Sequence, residues 1–469
     1  MNASVAPEVI VRLKVALGEG GWSQDPDRLA PKLVEWRGRW SGETPLLALP
    51  RTTAQVAAVV SICAAAGAPI TPQGGNTGLV GGQIPHGEIL LSTERMAAVR
   101  EIDALDDAMV VEAGATLAAV HEAALAAGRR FPLNLASEGS ATVGGLVSTN
   151  AGGTAVLRYG NMRNLVLGLE AVLPGGEVWN GLTRLRKDNT GYDLKQLLIG
   201  AEGTLGVVTA AVLKLYPILA SRAVAMVALA SPQAAISLLA RAKQESGGAV
   251  EAFELIGRLG VELAVAHLPG VRDPLAAPSP WYALVEIAGG EAGASEAAME
   301  RLLAGALDEG LVADAAVAQN EAQAKALWAI REGQSAAQKP EGPAWKHDIS
   351  VPVSRIAQFI DQASATLAKR YPGVRIDAFG HVGDGNIHFD VLGPPGGDPT
   401  AHAARRDEGA RVVHDLAAGL GGSISAEHGL GSMKTSEALL YKSPVDVAAQ
   451  RALRAALDPN RIMNPRVLF

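Results

Sequence analysis

The stretch "PQGGNTGLVGG", Pro72 to Gly82, carries five glycines in eleven residues. Glycine gathers where a backbone must turn sharply or be approached closely. No lysine follows these glycines, so the stretch is not G-x-x-x-x-G-K-[ST], and it does not open a helix with a strict G-x-G-x-x-G. Two further loops resemble it. "ASEGSATVGGLVSTNAGGTAVLRYG" runs from Ala136 to Gly160 and "GAEGTLGVVT" from Gly200 to Thr209. One such loop reads as a tight turn. Three of them in the first half of the chain, with Ser140, Thr142, Ser148, Thr149 and Asn150 adding polar groups to the second, read as main-chain nests for anions. They point to a large phosphate-bearing cofactor.

The surroundings fit an α+β chain of more than one domain. "EILLST", "AMVVEAG" and "LGVVTAAVLKLYP" have the short β-rich pattern of strands. "TAQVAAVVSICAAAG" and "TLAAVHEAALAAG" read as helices closed by glycine. From Ser221 onward strand-like runs such as "AVAMVALA" and "WYALVEIAGG" alternate with amphipathic helical ones, which suggests a separate sheet with helices on one face. At 469 residues the chain exceeds one ordinary core. A net charge of −7 without blocks of like charge argues against nucleic acid and anionic membrane as partners. The single cysteine, Cys63, excludes an internal disulfide and is expected to pack inside a helix. The N-terminus lacks the pattern of a secretory signal, and a cytoplasmic protein is expected.

Three later stretches carry chemistry. In "RIDAFGHVGDGNIHFDVL" a two-residue hairpin turn at Asp384-Gly385 would set His381 directly opposite His388, with Cβ atoms about 4.5–5.5 Å apart. Asp390 follows on the same face. The alternative is a surface hairpin with two incidental histidines. "GGSISAEHGLGSMK" offers Glu427 and His428 between glycines. With His381 and His388, Glu427 makes a His₂Glu set suited to Zn²⁺ or Mn²⁺, and His428 can serve as a base. In "WAIREGQSAAQKPEGPAWKHDISVP", Arg331 and Ser335 stand at i and i+4 of a helix, and Lys346 adds a second cation. Guanidinium and ammonium suit capture of a carboxylate, although an ordinary surface pair of Arg331 with Glu332 is equally consistent with the spacing.

Taken together, "PITPQGGNTGLVGG", "GGLVSTNAGG", "GYDLKQLLIGAEGTLGVVT", "GHVGDGNIHF", "SAEHGLG" and "DPNRIMNP" occur in the order seen in flavoenzymes of the vanillyl-alcohol-oxidase/PCMH type. The chain resembles the FAD-linked D-2-hydroxyacid dehydrogenases of that family from the Trp36 region to its end. The resemblance implies a two-part FAD-binding domain over residues 1–219, an α/β cap domain with an antiparallel sheet over 220–420, and a helical segment over 421–469 returning to the flavin. It implies that Pro72, Gln73, Gly74, Gly75, Asn76, Thr77, Gly78 and Gly82 hold the pyrophosphate. Ser140, Gly144, Gly145, Ser148, Asn150 and Gly152 would continue along the cofactor, with Glu202, Gly203 and Val208 near its adenosine or ribityl part and Asn464 near the flavin ring. Asn76 stands where some relatives carry a flavin-linked histidine, so FAD is expected to be non-covalent.

The same resemblance implies His381, His388 and Glu427 as metal ligands, with zinc or manganese as the metal. It makes His428 the active-site histidine, and Arg331, Ser335, Lys346 and Asp390 contacts to the substrate. Asp390 departs from the asparagine common in the family. The implied activity is oxidation of a D-2-hydroxy acid, with D-2-hydroxyglutarate, D-lactate, glycolate and D-malate as candidates. Electron-transfer flavoprotein or a quinone-linked carrier would take the electrons, and a homodimer is compatible with the sequence. Two other classes stay open on the residues alone: a metallohydrolase built on the His₂Glu set, and a protein that binds hydroxy acids without turnover.

Overall fold

The alanine- and valine-rich run around Cys63 forms the helix Thr53–Ala66 in a computed structural model that describes residues 5–469. Thr52 caps its N-terminus by accepting from the Gln55 N–H, and Gly67 ends it with a φ of 63°. Cys63 is fully buried, and burial pushes its thiol up to about 12, so it is an inert core residue. No helix among the described residues is long and apolar enough to cross a membrane.

The chain divides into two units. The first comprises Met1–Gly153, Gly160–Ile218 and Glu427–Phe469. It contains a four-stranded sheet in the order Trp22–Ser23, Leu47–Ala48, Ile89–Ser92, Ile70–Gln73, whose last three strands run parallel. The helices Pro7–Leu17 and Thr53–Ala66 seal one core against it through Leu13, Val56, Val60, Ile70 and Ile89. A second sheet of this unit is antiparallel, in the order Val99–Asp103, Ala108–Glu112, Val207–Lys214, Val166–Val172, Val178–Gly181. The C-terminal segment is stitched to the first sheet. Ile70 donates to the Ile462 carbonyl at 2.8 Å, and Asn464 returns a bond to the Ile70 carbonyl at 2.8 Å. Arg454 on the helix Pro444–Leu457 holds the last turn by donating to the carbonyls of Val467, Met463 and Asn464.

The second unit comprises Thr154–Tyr159 and Leu219–Ala426. Its antiparallel sheet has the order Asp314–Val317, Ser221–Leu229, Trp281–Gly289, Val250–Gly257, Arg375–His381, Asn386–Leu392, Ala344–Trp345, and Asp348–Ser350 also pairs with the Asn386 strand. Helices cover both faces, not one. Ala225, Val227, Phe253 and Val285 pack beneath Pro232–Glu245, Ala294–Asp308 and Ile356–Arg370. On the other side Met226, Ile256 and Tyr282 pack against Val261, Trp328 and Ile330 of Arg258–His267 and Glu321–Glu332. Nearly every residue of the strand Ser221–Leu229 is buried, as a strand covered on two sides must be.

Candidate functional site

The glycine loops of the first unit converge on a cavity of about 720 Å³. Its wall includes Pro72 to Gly78, Gly82, Ser140, Gly144, Gly145, Ser148, Gly152, Glu202, Gly203, Val208 and Asn464. Glu427 and His428 line it as well. Asn150 does not. It turns with φ at 51° and accepts from the Arg163 N–H at 2.9 Å, so it shapes the loop behind the wall. Trp36, Thr93 and Leu135 also line the cavity and are not among the expected residues. They lie outside the glycine clusters that drew attention to the loops.

The glycines themselves have a sharper explanation than phosphate access. A Cβ on Gly75 would land on the Ser140 carbonyl oxygen, and one on Gly74 on the Thr142 hydroxyl. A Cβ on Gly144 would lie 2.8 Å from the Ala113 side chain. The first glycines are required because the second loop stacks on the first. Both stacked loops line the cavity. Among the described residues, nothing accepts a hydrogen bond from the backbone N–H of Gly74, Gly75, Asn76, Thr77 or Gly78. Four buried oxygens of cavity residues also lack a partner among the described residues: Gln73 Oε1, Thr93 Oγ1, Thr142 Oγ1 and Asn464 Oδ1. Buried polar atoms rarely stay unpaired. A row of donors for phosphate oxygens and scattered polar atoms on an otherwise apolar wall fit a dinucleotide such as FAD.

Asn464 and Glu202 join the segments that form this wall. Asn464 Nδ2 donates to the carbonyls of Gly82 at 3.0 Å and Glu202 at 2.8 Å. The Glu202 carboxylate accepts from the N–H groups of Leu430 at 2.9 Å and Gly431 at 2.8 Å. Burial raises its pKa, opposed by these two bonds and by Lys434. Asn76 uses its side chain for structure: Nδ2 donates to the carbonyls of Pro31 at 3.1 Å and Val34 at 2.9 Å.

The second unit carries a polar patch on one face of its sheet. The hairpin register differs from the expected one: His381 faces Asn386 and His388 faces Phe379. Asp384-Gly385 ends a four-residue loop, 382–385, in which Asp384 Oδ1 accepts from the Asn386 N–H at 3.0 Å. The pairing moves by two residues, so both histidines keep their face. They become diagonal neighbours, with ring centroids 5.9 Å apart and ligand atoms within 4.8 Å of each other.

Glu254, from a neighbouring strand, organises this patch. Its side chain is fully buried and accepts from Arg331 Nε at 2.7 Å and His381 Nδ1 at 2.6 Å. Burial alone would raise its pKa, but His381 and Arg331 outweigh burial and hold the carboxyl at about 2. An ionised carboxylate only accepts, so His381 Nδ1 carries the proton and Nε2 keeps its lone pair. Arg331 lies over the Phe379 ring, 5.0 Å from its centroid. The helix bearing Arg331 ends at Glu332, and Ser335 is exposed on the separate short helix Gln334–Ala337. The buried polar residues that follow Arg331 are Gln334 and Gln338.

Lys346 and Asp390 also meet in this patch, Nζ to Oδ2 at 3.2 Å. Asp390 faces Asp377 across the hairpin. Asp377 is fully buried and is pushed up to about 7, chiefly by burial and further by Asp390, with Gln338 acting in the opposite direction. A pair of imidazoles with one fixed tautomer suits a divalent metal. Ala426, the last residue of this unit, donates to the Asp348 carbonyl at 3.2 Å, and Asp348 pairs with His388.

Comparison with known proteins agrees with this layout. Residues 44–181 match the FAD binding domain and residues 218–468 the C-terminal domain of FAD linked oxidases. A probable mitochondrial D-2-hydroxyglutarate dehydrogenase of Oryza sativa subsp. indica is 37% identical over 454 residues, covering 96% of this chain and 80% of its own. The D-2-hydroxyglutarate dehydrogenase of Xanthomonas citri pv. viticola is 36% identical, covering 93% and 91%. Among solved structures, p-cresol methylhydroxylase with substrate bound superposes with a TM-score of 0.77 at 16% identity, over 98% of this chain and 96% of that one. Alkyldihydroxyacetonephosphate synthase gives 0.75 at 17% identity, over 98% and 86%. The expectation of a cytoplasmic protein does not survive, because the relatives from Oryza, Arabidopsis thaliana and Bos taurus are mitochondrial by name. An apolar run marks a secretory signal, whereas organelle leaders are amphipathic and lack it, so its absence does not argue for the cytoplasm. The chain belongs to the FAD-linked oxidases of the vanillyl-alcohol-oxidase/PCMH fold, in the branch that holds the D-2-hydroxyglutarate dehydrogenases.

Proposed function

We propose that this protein oxidises a D-2-hydroxy acid to the 2-oxo acid, with D-2-hydroxyglutarate, named in its relatives, as the leading substrate. The observation that carries the reading is the meeting of Arg331, His381 and His388 on one sheet face. A carboxylate-binding cation beside two metal-competent imidazoles is what a 2-hydroxy acid requires. FAD held in the cavity would supply the hydride acceptor, and a divalent metal held by His381, His388 and Glu427 would supply Lewis-acid polarisation of the substrate hydroxyl. Zinc is the proposed metal, with manganese as the alternative.

Arg331 binds the substrate carboxylate and is itself aimed by Glu254. Glu254 also keeps His381 Nε2 unprotonated. His428 is the proposed base for the hydroxyl proton, which it must approach within about 2.6–3.2 Å. Lys346 and Asp390 meet the rest of the substrate. We also propose that FAD is non-covalent, since Asn76 offers no ring nitrogen for a flavin bond.

The test is a visible spectrum of the purified protein under anaerobic conditions. D-2-hydroxyglutarate should bleach the flavin band, with D-lactate, glycolate and D-malate as comparators. Chelation should abolish bleaching and leave the resting spectrum unchanged. A yellow protein that none of these acids bleaches would refute the reading. Full bleaching after metal removal would refute the role of the metal.

A further inference from the structure

Arg331 and Lys346 each already hold a carboxylate of the protein. Arg331 is paired with Glu254 at 2.7 Å and Lys346 with Asp390 at 3.2 Å. Lys346 Nζ also donates to Gln338 Oε1 at 2.5 Å, and Gln338 Nε2 donates to Asp377 Oδ2 at 2.7 Å. Asp390 is 3% exposed, so its charge is poorly screened by water. Asp377 is bonded to Gln338, and Asp390 is the carboxylate that Lys346 contacts directly. The two cations are thus balanced by two anions before any substrate arrives.

This arrangement bears on the far end of the substrate. Asp390 and His388 share a strand face two residues apart, roughly 7 Å along the strand. A short diacid held at the histidine end reaches toward Lys346 with its second carboxylate. There it meets Asp390 as well as Lys346, and two close carboxylates repel. A neutral or hydroxyl-bearing end meets no such opposition, and Asp390 can accept from it.

Building on the proposed oxidation of D-2-hydroxy acids, we infer that Asp390 is a specificity-determining residue. By holding Lys346 it weakens the preference for a second carboxylate and admits monocarboxylic D-2-hydroxy acids.

The test compares wild type with Asp390→Asn on D-2-hydroxyglutarate and D-2-hydroxybutyrate. The ratio of their kcat/KM values should rise in favour of the diacid by at least about tenfold. Lys346→Gln should move the ratio the other way, because Asp390 then stands unpaired. Dissociation constants of 2-oxoglutarate and 2-oxobutyrate, by titration calorimetry, read the same preference without turnover and should shift in the same directions. An unchanged ratio in both variants, or a fall in Asp390→Asn, overturns the assignment while the parent activity stands. Failure of every acid to reduce the wild-type flavin overturns the parent reading and this inference with it.

Discussion

Asp377→Asn should stabilise the protein at alkaline pH and leave it unchanged in acid. Asp377 has no exposure to solvent, and its Oδ2 accepts from Gln338 Nε2 at 2.7 Å. Its Oδ1 has no partner among the described residues, and neither has Gln334 Oε1. Both oxygens crowd the position where a Cβ on Gly260 would sit, at 2.8 and 2.5 Å from it. Two acceptors in one small buried space favour a protonated Asp377 that can donate. Its pKa rises from an ordinary 3.8 to about 7.

The direction of the linkage follows from that rise. The folded protein keeps a proton that the unfolded chain releases, so stability falls as pH climbs from 3.8 to about 7 and is unaffected below that window. A rise of roughly 3 units at about 1.4 kcal/mol each costs about 4 kcal/mol once Asp377 is ionised. Asparagine carries no such cost and can donate its Nδ2 toward Gln334. Urea unfolding of both proteins, followed between about pH 4 and pH 8, should show the variant gaining up to about 4 kcal/mol at the alkaline end. A stability difference that stays constant across that range would show that Asp377 ionises like an exposed carboxylate, and the reasoning would fail.

Two further outcomes are expected. Gly75→Ala forces a methyl onto the Ser140 carbonyl and should separate the stacked loops, so the purified variant should contain much less flavin at unchanged far-ultraviolet dichroism; normal flavin content would count against the stacking argument. Glu254→Gln keeps the size of the side chain but removes the charge that fixes His381, and chelator competition should show divalent-metal affinity lower by about 10–100-fold; unchanged affinity would remove Glu254 from the metal site.

Much of the local structure was legible in the residues. Thr52 and Gly67 bracket a helix because capping chemistry is local. The two histidines share a strand face because side chains alternate with period two, and that parity survived an error of two in the register. The glycine loops were legible as a group, and all but Asn150 of the residues expected from them line the cavity. What the glycines are packed against was not legible, since the Ser140 carbonyl is distant in sequence from Gly75. Nor was the break after Glu332, where Gly333 ends the helix and Ser335 is left exposed.

The sequence by itself therefore determined the inventory: which segments are helices and strands, which loops can meet an anion, and which side chains can bind a metal or a carboxylate. Only the tertiary structure decided their states. Glu254 lies 77 residues from Arg331 and 127 from His381, yet it sets the charge balance of one and the tautomer of the other. Asp377, Gln338, Lys346 and Asp390 likewise form one network through strand pairing. A buried charge is governed by the groups within a few ångströms of it, and strand order, not sequence distance, chooses those groups.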